Sequence, residues 1–166
     1  VDIMATRGDA GALAEAMEAA GVAAPAGEGW SDLFSRLLVA RVEPQLGQGR
    51  ATVLDRYPAS EAALARRCPD DPRLAERFEL YACGVELANG FGELTDPAEQ
   101  RRRFEAEMDE KERVHGERYP LDEDFLAALA RMPPASGIAL GFDRLVMLAT
   151  AAPRIDLVQW VPVAGG

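Results

Sequence analysis

Three glutamates, Glu79, Glu86 and Glu93, recur at seven-residue intervals in the stretch RFELYACGVELANGFGELTD, from Arg77 to Asp96. Asn89 and Gly90 lie between the last two, and the neighbours are aromatic or aliphatic (Phe78, Leu80, Tyr81, Val85, Leu87, Phe91). A solvated acidic face does not keep that company. Carboxylates among apolar, β-prone residues suggest a partly buried site, and burying them is costly unless a cation, a metal or hydrogen-bond donors compensate. In one unbroken strand, residues seven apart point to opposite faces. In one helix they would share a face, but the β-branched, aromatic and glycine content argues against a helix. Cys83-Gly84 is a candidate turn or bulge that would bring Glu79 and Glu86 together across a hairpin, and Asn89-Gly90 is a second candidate before Glu93. On pattern alone two readings stand level: a hairpin with incidental acids, or a carboxylate site.

The second stretch with chemical content is SGIALGFDRLVML, from Ser136 to Leu148. Ile138 and Leu140 alternate with small residues, as in a buried strand. Gly141 breaks that strand, and Asp143 can cap a helix carrying Leu145, Val146 and Leu148. Glycine lets a flat ligand approach the backbone closely. Arg144, just past the glycine at the start of the helix, is placed to meet an anion. Guanidinium suits phosphate because it is planar, permanently charged and bidentate. The plainer reading is a structural pair between Arg144 and Asp143, or between Arg144 and a glutamate. Other chemistries find little support. The single histidine, His115, sits beside Gly116 near the end of a charged helix and reads as a surface residue, so a serine or cysteine triad lacks its base. Cys68 and Cys83 form no CxxC and have no histidine beside them. Free thiols in a reducing cytoplasm are expected, rather than a zinc site or a disulfide framework.

The elements that must position these residues follow from periodicity and punctuation. Up to Gly49 the chain reads as helical and chemically quiet, a region of packing or an inserted helical element. Asp9 to Ala20 is alanine-rich with Leu13 and Met17 four apart, and Gly21 stops it. After the loop Ala23 to Gly29, Ser31 can cap a second helix with Phe34, Leu37, Leu38, Arg41 and Val42 on one face, ended by Pro44 and the glycines at 47 and 49. Ala51 to Tyr57 reads as a strand stopped by Pro58, Pro58 to Ala65 as a loop entering a short helix, and Pro69 to Pro72 as a turn. Asp96-Pro97-Ala98-Glu99 is a strong helix start. That helix should run to about Val114, and its charge run, Arg101, Arg102, Arg103, Glu105, Glu107, Asp109, Glu110 and Lys111, reads as a solvated face. Asp122 caps a shorter helix with Phe125, Leu126 and Leu129, closed by Pro133-Pro134. Leu157 to Val163 reads as a last strand and Ala164 to Gly166 as a loose end.

With 166 residues and 48% apolar content, the chain is long and apolar enough for a folded domain with a sizeable core. A net charge of −10 argues against unaided binding to nucleic acid or an anionic membrane. No apolar run is long enough to span a bilayer, and no signal peptide is visible. Because the sequence starts at Val1 rather than methionine, we expect a processed, trimmed or partial chain.

RFELYACGVELANGFGELTDPAEQRRRF followed by GIALGFDRLVML resembles the C-terminal half of class II lysyl-tRNA synthetase-type catalytic domains, with the second segment as their motif 3. The YPASEAALA element upstream fits as well, and the likeness covers roughly Thr52 to Val163. It implies an α+β fold, an antiparallel sheet flanked by helices, here incomplete, with 1–49 as an insert-like helical region and 50–166 as the C-terminal portion of the catalytic domain. Motifs 1 and 2, which normally precede this region, are absent. Gly92 stands where serine or histidine is expected, and Phe142 where a smaller β-branched residue is.

Two branches compete. One is lysyl-tRNA synthetase, which charges tRNA. The other is the shorter elongation factor P–(R)-β-lysine ligase branch, which lacks an anticodon-binding domain and modifies a lysine of elongation factor P. Ala88, Ala139 and a PASEAALA segment without serine-proline resemble the second. A methyl lining an amino-acid pocket shifts selectivity by about 1–3 kcal/mol. The resemblance implies ATP and Mg²⁺ as cofactors, a lysine-type amino acid as substrate, no membrane, and a homodimer for the complete protein. It implies Mg²⁺ on Glu79 and Glu86, and Leu87 and Gly141 along the nucleotide. It also implies Asn89 and Glu93 on the amino acid, with Glu93 pairing the distal amino group. Arg144 would bind the γ-phosphate and stabilise departing pyrophosphate. This chain alone is expected to be inactive. A third, different reading is a non-catalytic remnant serving as a binding module.

Overall fold

In the computed structural model, which describes residues 1–6 and 8–161, the glutamate stretch forms a hairpin of β2 (Leu74–Ala82) and β3 (Val85–Gly92). The turn is Cys83-Gly84, both residues at positive φ, 53° and 74°. Two consecutive left-handed residues match the twist of the flanking strands, and glycine adopts that geometry without a Cβ penalty. The tip of the hairpin is held from outside. The Cys83 N–H donates to the Gly47 carbonyl at 2.8 Å, and a Cβ at Gly47, itself at φ 70°, would come within 2.9 Å of the Ala82 backbone. Asn89-Gly90 is not a turn, since β3 runs through both residues to Gly92.

Two further strands, β1 (Thr52–Pro58) and β4 (Ser136–Leu140), complete one antiparallel sheet in the order β1-β2-β3-β4. Five helices accompany it among the described residues: α1 (Ala10–Ala19), α2 (Trp30–Leu37), α3 (Pro97–His115), α4 (Glu123–Leu129) and α5 (Phe142–Ala149). This is the expected α+β class. No helix is long and apolar enough to cross a membrane among the described residues.

The chain divides into two compact units. One comprises Val1–Leu54, Glu79–Ala88 and Leu140–Gly166. Its helical core is Leu13 and Met17 of α1 against Leu33, Phe34 and Leu37 of α2, all buried. Asp9 caps α1 by accepting from the Ala12 N–H at 3.0 Å. The Arg41 guanidinium satisfies the far end, donating to the carbonyls of Ala20 and Gly21 at 2.8 and 3.0 Å. The cap of α2 is Gly29 rather than Ser31. The Asp32 carboxylate reaches back to accept from the Gly29 N–H at 3.1 Å, and this places Ser31 inside the first turn. The helix then widens into a π-helical turn, Leu38–Val42, before the Pro44 turn.

The other unit comprises Asp55–Phe78 and Asn89–Ala139. Its centre is small, Ala62, Ala65 and Ala75, with Ala59 and Phe91 packed against them. The short helix expected at the end of the Pro58 to Ala65 loop does not form; that stretch holds only a 3-10 turn, Ala59–Glu61, among the described residues. Tertiary contacts claim that backbone instead. Ala65 bridges Glu93, Leu64 accepts from the Leu94 N–H at 2.9 Å, and α3 takes up the remaining carbonyls. Arg103 of α3 donates to the carbonyls of Ala62 and Ala65, both at 2.8 Å, and Gln100 donates to that of Ala63 at 3.1 Å. The charge run on α3 is therefore not uniformly solvated, because the Arg103 side chain is only 11% exposed. Asp96 and Asp122 cap α3 and α4 as expected, and Gly116 at φ 68° ends α3.

Two expectations about apolar strands fail. Ile138 and Leu140 of β4 are 60% and 51% exposed, since nothing among the described residues covers them; β4 is the edge strand beside β3. Leu157 to Trp160 is not a strand. Ile155–Leu157 forms a 3-10 turn, braced by Arg154 donating to Asp156 at 2.9 Å. The β-propensity of that run has no neighbouring strand to satisfy it among the described residues. Pro162 to Gly166, including the end of this segment, lie outside the described residues.

Candidate functional site

In the first unit, chemistry gathers where β3 meets the start of α5. The Gly141 N–H donates to the Leu87 carbonyl at 2.8 Å, fixing the turn out of β4 against β3. From the first turn of α5, Arg144 donates through Nη1 to the Glu86 carbonyl at 2.9 Å and to the Glu86 carboxylate at 3.1 Å. A Cβ on Gly141 would lie 3.2 Å from the Arg144 side chain, so the glycine leaves the guanidinium its room. The helix cap is Gly141, not Asp143, whose carboxylate accepts from Gln159 Nε2 at 3.2 Å. Arg144 thus pairs with a glutamate and not with its sequence neighbour. Both members remain partly exposed, 46% for Arg144 and 33% for Glu86, so the pair can open to a ligand.

Glu79 is different. It is 5% exposed, and its Oε2 accepts from the Tyr81 hydroxyl at 2.7 Å. Burial first, then the hydrogen bond to Glu79, keeps the Tyr81 phenol protonated far above its ordinary range. Glu43, in the Pro44 turn, has its carboxyl pushed up by burial and by the negative charges of Glu79 and Glu86. Glu43, Glu79 and Glu86 therefore act on one another as like charges, with Arg144 paired to Glu86. Such a place favours a cation. The donor set suits a hard ion that takes its remaining ligands from phosphate and water. Among the described residues, no three His, Cys, Asp or Glu side chains stand close enough to form an all-protein metal site.

Comparison with known proteins identifies the framework. Residues 26–164 match the family model for class II tRNA synthetases (D, K and N). The chain belongs to this family. It is 50% identical over 132 residues to the elongation factor P–(R)-β-lysine ligase of Proteus mirabilis, covering 79% of this chain and 41% of the relative. The ligase of the same name from Hamiltonella defensa is 48% identical over 134 residues, covering 80% and 41%. That from Haemophilus influenzae is 49% identical over 125 residues, covering 75% and 38%. The chain spans about two fifths of the length of the curated relatives it matches.

Within this class II synthetase framework the first unit brings Glu86, Leu87, Gly141 and Arg144 together, and places Glu79 where its charge acts with that of Glu86. Asn89 and Glu93 belong to the second unit. Asn89 is half-buried in β3. Glu93 follows β3, with its N–H donating to the Ala135 carbonyl at 3.0 Å, and a Cβ on Gly137 of β4 would come within 2.5 Å of Glu93 Oε1. The carboxylate is therefore seated in the space that the missing side chain leaves. The departure at Gly92 has a local cause: a side chain there would meet the Arg66–Glu76 ion pair, closed at 2.7 Å. Ala88 is buried and Ala139 exposed.

Sequence reasoning missed three participants. Glu43 lies in the stretch read as chemically quiet, Tyr81 was one more aromatic neighbour of the acids, and Gly137 was one more small residue. Only Tyr81 carried a signal, its position two residues from Glu79 on one strand face.

Proposed function

We propose that this chain supplies the C-terminal part of a catalytic domain that activates a lysine-type amino acid with ATP and transfers it to a lysine of elongation factor P. The observation that carries the proposal is Arg144 at the mouth of the Gly141 turn, paired with the partly exposed carboxylate of Glu86. It is supported by the identity of about half the aligned residues to ligases named for that reaction. We take 50–166 as the portion of the catalytic domain present, and 1–49 as an added helical region.

In this reading the substrate carboxylate attacks the α-phosphorus of ATP. A carboxylate–phosphorus bond forms, the bond to the bridging oxygen breaks, and pyrophosphate leaves with the electron pair. Little proton transfer is needed, so positioning and charge neutralisation dominate. Arg144 leaves Glu86 to bind the γ-phosphate and follows the charge onto departing pyrophosphate. Glu79 and Glu86 hold Mg²⁺, which neutralises phosphate charge when bound. Leu87 and Gly141 present backbone along the nucleotide. Asn89 contacts the amino acid, and Glu93 pairs with its distal ammonium. The free thiols of Cys68 and Cys83 agree with a cytoplasmic setting. By the same resemblance the complete protein is a homodimer.

The test is amino-acid-dependent exchange of pyrophosphate into ATP by the complete protein. A preference for (R)-β-lysine is expected, with transfer to elongation factor P. A clear preference for α-lysine with charging of tRNA would replace this reading by the synthetase one.

A further inference from the structure

One side chain beside the carboxylates has no place in the scheme so far. Tyr81 is 3% exposed and Glu79 5% exposed, and they are joined by a hydrogen bond of 2.7 Å from phenol to carboxylate. They stand two apart on β2, on one face of the strand, where a direct bond between side chains constrains the torsions of both. Glutamate reaches its ligand through three torsions, and a buried site tolerates few of the resulting positions. The Tyr81 hydroxyl is a buried donor that limits where the Glu79 carboxylate can turn.

We propose that Tyr81 is a positioning residue, whose hydroxyl holds the Glu79 carboxylate in the orientation that presents it to the cation accompanying the nucleotide. This rests on the reading of Glu79 as a carboxylate for that cation. Partners that orient a metal-binding carboxylate typically contribute 10–100-fold to metal affinity. Tyr81 does not touch substrate or the reacting atoms. Its effect is confined to the cation, and the amino-acid step is reached only through it.

The experiment uses the complete protein with Mn²⁺ as the probe, titrated by electron paramagnetic resonance in the presence of a non-hydrolysable ATP analogue. Tyr81→Phe, Glu79→Gln and the double variant are compared with the unaltered protein. Tyr81→Phe is expected to weaken Mn²⁺ roughly 10–100-fold. In exchange assays it raises the Mg²⁺ concentration for half-maximal rate by a similar factor, and the rate at saturating Mg²⁺ is largely restored. The double variant is expected to bind Mn²⁺ no more weakly than Glu79→Gln alone, because the hydroxyl acts only through that carboxylate. This comparison also serves if Tyr81→Phe by itself folds poorly, since the double variant leaves no charged carboxylate deprived of its donor. Normal Mn²⁺ affinity in Tyr81→Phe, with weakened affinity in Glu79→Gln, overturns the role of Tyr81 and leaves that of Glu79 standing. So do additive losses in the double variant. Normal affinity in Glu79→Gln overturns the reading of Glu79 itself, and the proposal with it.

Discussion

Gly137→Ala separates the geometry around Glu93 from the stability of the fold. A methyl at position 137 would lie 2.5 Å from Glu93 Oε1, where ordinary contact begins at 3.4 Å. The carboxylate has to move by about 1 Å, and it can, because it is the end of a flexible side chain rather than backbone. A forced rotamer change costs about 0.5–1.5 kcal/mol. Replacing glycine by alanine within a strand returns roughly 0.5–1 kcal/mol through lost unfolded-state freedom. The melting temperature should therefore barely change. The consequence for binding is larger, since a misplacement of about 1 Å in a positioning group can cost on the order of 10²-fold. In pyrophosphate exchange by the complete protein, we expect the KM for the lysine-type amino acid to rise roughly 30- to 100-fold, with the KM for ATP unchanged. Glu93→Gln serves as the control and should show the same selective rise. An unchanged amino-acid KM in Gly137→Ala beside a raised one in Glu93→Gln would refute the seating of the carboxylate against Gly137. Unchanged values in both would remove Glu93 from substrate recognition.

Arg144→Ala should abolish exchange with little loss of stability. The Arg144–Glu86 pair is half-exposed at 3.1 Å, and such pairs contribute about 0–1 kcal/mol; a large fall in melting temperature would make Arg144 a structural residue. Arg103→Ala should destabilise by ~3 kcal/mol or more in denaturant unfolding, because it strips donors from buried carbonyls at Ala62 and Ala65. Arg103→Lys should rescue only part, since one ammonium cannot both reach the carbonyls that Nη1 contacts and replace the Nε bond to Glu99 at 3.1 Å; full rescue would assign the effect to charge alone. Glu99 sits among Arg102, Arg103 and Arg67, which hold its carboxyl down at about 2. A carboxylate depressed on folding contributes stability that is full above its unfolded pKa near 4.5 and is lost as pH falls towards 2. After solvent screening we expect Glu99→Gln to cost about 1–2 kcal/mol at pH 7 and nothing near pH 2. A pH-independent difference between the two proteins would contradict this.

What the sequence made legible was local. The Cys83-Gly84 turn, the aspartate caps at positions 96 and 122, and the glycine before Arg144 each depend on residues within one turn, and each is where the pattern predicts. Two caps are displaced within a single turn, Gly29 for Ser31 and Gly141 for Asp143, and the larger errors fall where distant partners decide. Pro58 to Ala65 carries alanines suited to a helix, yet its carbonyls are taken by Arg103 and Gln100, some forty residues on. Leu157 to Trp160 has strand-forming residues and no strand to pair with among the described residues. Arg103 cannot be told from Arg101 and Arg102 in a charge run, though it alone of the three turns inward.

The same division applies to the carboxylates, and it explains why the even choice at the outset could not be resolved by spacing. A seven-residue interval says only that a turn is needed to bring two glutamates onto related positions. What distinguishes a site from incidental acids is the compensation each receives, and that comes from elsewhere in the chain: Tyr81 for Glu79, Arg144 for Glu86, the gap at Gly137 for Glu93. The three compensations differ in kind. A neutral donor orients a buried acid without cancelling its charge, a mobile cation can leave when a better anion arrives, and an empty space holds an acid ready for a partner of opposite sign. Incidental surface acids would need none of them, and acids serving stability alone would be better matched by fixed, fully buried pairs. The like charges of Glu79 and Glu86, felt together at Glu43, are therefore the physical reason for proposing these two glutamates as carboxylates for a cation.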